Sequence, residues 1–255
     1  PIIGLPLSKY YKLKLQMKLK HTFLLGFSLL LASISTWAQE QITESATTAI
    51  VDTVPKSQKY GIRVGIDISK LARTAFEEGF TGFEVNGDYR LTKKIYAAAE
   101  LGTSDRVWDE DGLRSITTGS YIKIGADLNA YNNWLGMNNA IFGGLRYGFS
   151  TFSQELDQYD IYTSNPAFAT TPRDVNVEFN GLTAHWAELI VGIKTEVMNN
   201  LYLSINLQLK RKITEDRPEN FDNLIIPGFN RTYDFSQFGV GYGYTISYLI
   251  PLYKK

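Results

Sequence analysis

Hydrophobic and polar residues alternate along most of the chain beyond residue 58. Between Lys59 and Ser69 the parity is unbroken: Tyr60, Ile62, Val64, Ile66 and Ile68 fall on one side, and Lys59, Gly61, Arg63, Gly65, Asp67 and Ser69 on the other. A period of two sustained over that length predicts a β-strand. The same pattern returns around Phe83–Leu91, Ile95–Gly102, Tyr121–Asn129, Ile141–Ser150, Glu188–Glu196, Leu201–Lys210 and Gly239–Tyr248, which makes eight predicted strands and an all-β chain. The connections 92–94, 131–138 and 198–200 are short, whereas 70–81, 105–115, 154–182 and 214–236 are long and are expected as loops, with no helix. Short turns at one end and long loops at the other describe an up-and-down antiparallel barrel, the layout of barrels that cross a bilayer. Strands of about ten residues also match the ~9–11 needed to span a membrane obliquely.

Alternation alone does not say which face points inward, so a soluble eight-stranded barrel with an apolar interior remains the alternative. Glycine placement favours the membrane form. Gly61, Gly65, Gly125, Gly144, Gly148, Gly192, Gly239, Gly241 and Gly243 all share the polar face, where a narrow lumen is crowded. Tyr60, Tyr89, Trp134, Tyr202 and Tyr248 fall near the short-turn ends, where an interfacial aromatic girdle belongs. The expected fold is therefore an eight-stranded antiparallel up-and-down transmembrane β-barrel over residues 59–255.

The preceding residues read as an address. Met17, Lys18, Leu19 and Lys20 give a positive start, Thr22 to Ile34 an apolar stretch, and Thr36-Trp37-Ala38 a small-residue exit, so 17–38 has the form of a signal peptide cleaved before Gln39. Residues 1–16 read as sequence upstream of the start, and the Thr-, Ser- and Glu-rich 39–58 as a flexible periplasmic leader. The whole chain balances 26 Lys and Arg against 26 Asp and Glu. Five Lys and no acid lie in residues 1–38, which leaves 21 bases against 26 acids, a net of about −5, beyond the cleavage point. That balance offers no field for nucleic acid. With no Cys in the chain, disulfides, thiolate chemistry, Cys-ligated zinc and an N-terminal lipidated cysteine are excluded.

Several segments carry a resemblance. Tyr60-Gly61-Ile62-Arg63-Val64-Gly65, Gly87-Asp88-Tyr89-Arg90-Leu91, Tyr131-Asn132-Asn133-Trp134-Leu135-Gly136-Met137, Gly144-Leu145-Arg146-Tyr147-Gly148-Phe149-Ser150 and Pro227-Gly228-Phe229-Asn230-Arg231-Thr232-Tyr233 are similar to a family of small Bacteroidota outer-membrane barrels of unknown function. The resemblance runs from about Tyr60 to Lys255 and implies fold and location. It implies no catalytic residue and no cofactor.

Parity places Arg63, Arg90, Lys123, Arg146, Lys194 and Lys210 on the polar face with Asp67, Glu84, Asp88, Glu100, Asp127, Glu188 and Glu196. Six cations and seven anions inside so narrow a barrel are expected to pair and fill the lumen rather than form a selective pore. His185 falls on the apolar face near the outer rim, with Ala187 where a rim nucleophile would need Ser, so an enzyme is not expected. Asp105, Asp109, Glu110 and Asp111 crowd one loop without the spacing of a calcium-binding hand. The long loops hold the unexplained residues. Phe168, Phe179, Phe221, Leu224, Ile225, Ile226 and Phe229 are apolar where water is expected, and either form a cap or, with Arg231 and Tyr233 at the rim, meet a partner. The sequence thus predicts a monomeric barrel in contact with outer-membrane lipid, with a structural or interaction role and a protein or glycan partner at its loops. A secretion or envelope-assembly accessory is the second reading, and a lipid-modifying barrel enzyme the third.

Overall fold

The computed structural model describes residues 59–110, 112–131, 139–160, 172–219 and 221–254. The signal-peptide and leader segments, Asp111, Trp134 and Phe168 lie outside the described residues. The elements in order are β1 (Lys59–Asp67), α1 (Ile68–Phe76), β2 (Phe80–Arg90), β3 (Ile95–Glu110), β4 (Leu113–Asn129), β5 (Ala140–Asp160), β6 (Pro172–Met198), β7 (Leu201–Glu215), β8 (Ile225–Ile226), β9 (Asn230–Arg231) and β10 (Phe238–Lys254). Eight of these strands close into a barrel in the order β1-β10-β7-β6-β5-β4-β3-β2, all antiparallel, while β8 and β9 form a separate hairpin. The eight staves are those that the alternation predicts.

Two expectations about the connections are corrected. Segment 70–81 is not an irregular loop, since it begins in α1. Ile68, Leu71, Ala72, Ala75 and Phe76 recur at helical spacing, and the Asp67 side chain accepts the Ser69 backbone N–H (2.8 Å) as an N-cap. Much of 105–115 and 154–182 is not loop either. Strands β3 and β4 pair as far as Glu110 and Leu113, and Gly112 takes the left-handed conformation (φ 71°) that a tight turn requires. Strands β5 and β6 pair as far as Asp160 and Pro172. Long strands rather than long loops therefore build one tall side of the barrel.

The pleat decides which residues face which way, and closure decides which face is inside. Outward lie large apolar side chains such as Ile124, Leu145, Val191, Ile205, Leu207 and Val240, all more than half exposed. Inward lie Arg63, Glu84, Lys123, Asp127, Arg146, Glu188 and Lys210, all buried. The interior also takes aromatics that parity places there: Phe142, Tyr121, Phe152 and Trp186. Trp186 lies flat on Gly148, where a Cβ would stand 2.1 Å from the indole, so the absent side chain is what lets the ring fit across the lumen. Tyr60 and Tyr202 correct the girdle expectation: both are buried, leaving Tyr89 half-buried and Tyr248 exposed.

Candidate functional site: a charged lumen closed by a loop cap

The inward charges form two groups. Toward the turn end, Asp88 accepts from Arg63 (2.8 Å) and Lys194 (2.6 Å), and the Arg63 guanidinium also lies over the rings of Tyr202 (4.6 Å) and Tyr96 (5.4 Å). Further along the lumen, Arg146 bridges Asp127 (2.7 Å) and Glu100 (3.2 Å). Lys123 stands among three carboxylates, at 2.5 Å from Glu100, 3.5 Å from Glu84 and 3.8 Å from Glu188. Tyr121 donates its hydroxyl to Glu84 (2.5 Å), and Lys210 lies 3.9 Å from Glu188. These groups come from all seven strands from β1 to β7, so the charges cross-brace nearly the whole wall. Between them remains a cavity of only about 40 Å³, bordered by Asp88, Glu100, Asp127, Arg146 and Lys194. That holds a few waters at most, since one needs ~10–15 Å³.

Three of the charges singled out from sequence lie outside these groups. Asp67 uses one carboxylate oxygen to cap α1 and to accept the Tyr244 N–H (3.3 Å). Arg90 turns back to the carbonyls of Thr92 and Lys93 and lies over Tyr60 (4.9 Å). Glu196 accepts the Asn200 N–H (2.9 Å) in the tight turn between β6 and β7. His185 is joined to its neighbours on the outer wall by Tyr147 Oη···Nδ1 (2.8 Å) and the Phe149 ring (4.8 Å). Asp105, Asp109 and Glu110 run along β3, and no cluster of three metal-ligating side chains occurs among the described residues.

The apolar loop residues divide. Ile226 and Phe229 are fully enclosed, packed with Tyr121, Phe152, Leu182, Ala184 and Trp186 in the mouth of the barrel, and Ile225 is buried beside them. Phe229 meets Trp186 edge-to-face (6.0 Å between centroids), and Phe221 stacks on Phe179 (6.4 Å). Phe221 and Leu224 are half-buried. Gly228, in the hairpin turn between β8 and β9 (φ 80°), rests on the Tyr121 ring, and its carbonyl accepts from Lys210 Nζ (2.7 Å), so the cap is tied to the charges below. Arg231 and Tyr233 face away from this cap. Arg231 lies over Trp108 (4.5 Å) and Tyr233 (5.3 Å), and Tyr233 packs on Phe235 (5.4 Å), which is 88% exposed. Trp108 and Phe235 were not singled out in the sequence, because strand parity says nothing about a loop that doubles back over a rim.

A family model described as a domain of unknown function, DUF6048, matches residues 20–255. The chain belongs to this family. No curated protein and no solved structure matches it. In this DUF6048 member α1, hidden in the sequence by the strand parity that runs through Ile68, leads into a clamp at the barrel mouth. Glu77, just after α1, accepts from Arg73 (2.7 Å) and from Arg106 of β3. Partial burial pushes its carboxyl up, but the two guanidiniums outweigh that and hold it below the ordinary carboxylate range. A lowered folded value contributes stability above the unfolded value, about 4.3, and loses it as pH falls through the folded one. Glu77→Gln should therefore lower the urea midpoint at pH 7, and the gap to the wild-type protein should narrow as pH falls below the unfolded value.

Proposed function

We propose that the protein is a small, non-conducting outer-membrane barrel that acts through its loop-end surface as a structural or interaction protein. The observation that carries this reading is the inversion of the wall. Apolar side chains cover the outside of all eight barrel strands while paired charges fill the inside, an arrangement that water would penalise and lipid would reward. Eight long antiparallel strands hydrogen-bonded in a closed ring fit the same setting. The interaction role rests on Arg231, Tyr233, Trp108 and Phe235, an Arg and aromatic group held at the rim while the rest of its loop is spent on the cap.

Purified in detergent, the folded protein should migrate differently on gels unheated and boiled, because a closed barrel resists unfolding by dodecyl sulfate. In planar bilayers it should show little or no conductance. Equal mobility together with solubility in the absence of detergent would return the protein to the soluble-barrel reading. A steady large pore would refute the filled lumen. Mass measurement of the membrane-extracted protein should place its first residue at Gln39, as the proposed secretion route requires.

A further inference from the structure

The barrel wall is incomplete in one place. Strand β1 ends at Asp67, opposite Thr245 of β10, and its pairing with β2 ends at Ile66 opposite Val85. Strand β10 continues to Phe238 and β2 to Phe80, so two strand edges, 238–244 and 80–84, face each other with no strand between them. Helix α1 occupies this gap. It is stitched to the β2 side: Thr74 Oγ1 accepts the Gly82 N–H (2.9 Å), Arg73 lies over the Phe80 ring (3.9 Å), and the Glu77 clamp continues to Arg106 of β3. Against β10 its hydrogen bond is at the very start, where Tyr244 N–H meets Asp67 (3.3 Å). Along the rest of that seam lies a cavity of about 310 Å³, the lower end of the range for ligand sites.

The chemistry of this cavity changes from inside to outside. Its inner wall carries Lys70, Arg73 and Lys210, and its strand wall includes Leu207, Val240 and Tyr242, whose side chains belong to the apolar outer surface and are exposed by 67%, 74% and 54%. Asp67 and Glu84 also border it, but Asp67 caps α1, and Glu84 accepts from Tyr121 and pairs with Lys123. Lys70 has a single long ion pair, 3.8 Å to Glu84, among the described residues. A cationic recess that opens beside an apolar wall matches one class of ligand, a negatively charged headgroup on a hydrocarbon chain.

We infer that the seam between α1 and β10 is a lateral portal that admits an anionic single-chain amphiphile, its headgroup held by Lys70 and Arg73 and its chain laid along Leu207, Val240 and Tyr242. The inference rests on the membrane reading above, since only lipid-facing strands would present such a chain. Headgroup chemistry is shared by a fatty-acid carboxylate and by the phosphate of a lysophosphatidate.

The test uses the full chain, purified in a neutral detergent and stripped of lipid, with a photoactivatable palmitate as probe. Cross-linked peptides should concentrate on α1 and on 238–244. Labelling should be displaced by palmitate, by palmitoyl lysophosphatidate or by both, and which of them competes identifies the headgroup. Hexadecanol and inorganic phosphate should not displace it. Lys70→Gln with Arg73→Gln should cut labelling about tenfold, as loss of charged hydrogen bonds implies, while Lys70→Arg with Arg73→Lys should keep it. If the neutralised variant fails the heat-mobility check, the wild-type label map and competition still decide. Labelling spread evenly around the outer wall, or full competition by hexadecanol, overturns the portal and leaves the membrane reading standing. Solubility without detergent and no heat shift overturn the membrane reading itself.

Discussion

Replacing Lys123 by Met should lower the unfolding free energy by about 3–5 kcal/mol, the usual cost of deleting one partner from a buried ion network. Lys123 is 1% exposed and is the cation shared by Glu84, Glu100 and Glu188. Without it these buried carboxylates lose their common cation, and the cations left to them are Arg146 for Glu100, Lys210 for Glu188 at 3.9 Å and Lys70 for Glu84 at 3.8 Å. Adding Glu100→Gln to Lys123→Met should restore part of the loss, because it removes one of the stranded charges. Urea unfolding followed by heat-dependent mobility measures both variants. A Lys123→Met protein as stable as the wild type would mean that the lumen charges are hydrated rather than paired.

Phe229→Ala should cost about 3–5 kcal/mol and Ile226→Ala about 2–5 kcal/mol if the cap folds with the barrel as one unit. Both side chains are enclosed by the mouth aromatics, and neither site can collapse easily, since Trp186 is held against Gly148 from below and its indole N–H donates to Glu188 (3.2 Å). Phe235→Ser, by contrast, touches no enclosed contact and should leave stability within about 0.5 kcal/mol of wild type. Shortening 216–236 to a tight turn removes both halves of the loop, and comparing it with the point variants separates the cap from the exposed rim. A cap that melts separately would show Phe229→Ala with an unchanged barrel transition and a new, earlier loss of tryptophan signal from Trp186.

Legibility in the sequence followed the range of the interactions. Alternation is a local property of extended chain, so the strands around Ile122–Leu128 or Leu201–Leu209 could be read directly. Helix α1 was also locally encoded, through Asp67 and the apolar spacing from Ile68 to Phe76, but the strand parity running through Ile68 masked its start. The extra length of β5 and β6 had no such mark. Their upper halves carry polar residues on both faces and β-bulges between Phe152 and Gln154 and between Leu156 and Gln158, which break the period on which strand recognition depends.

By itself the sequence determined the strand number, the closing antiparallel order and the set of residues that share a face, because each follows from a period of two and from connection lengths. Tertiary structure decided the rest. Glycine placement already pointed the charged face inward, but only the barrel's curvature brought Lys123 to Glu84, Glu100 and Glu188, residues that are neighbours across strands and not along the chain. The same holds at the mouth, where the pairing of β5 with β6 sets Trp186 against Gly148 and the loop returns Phe229 to that ring. A charge or an aromatic ring announces its type in the sequence, but its partner is fixed by a register that no local pattern carries.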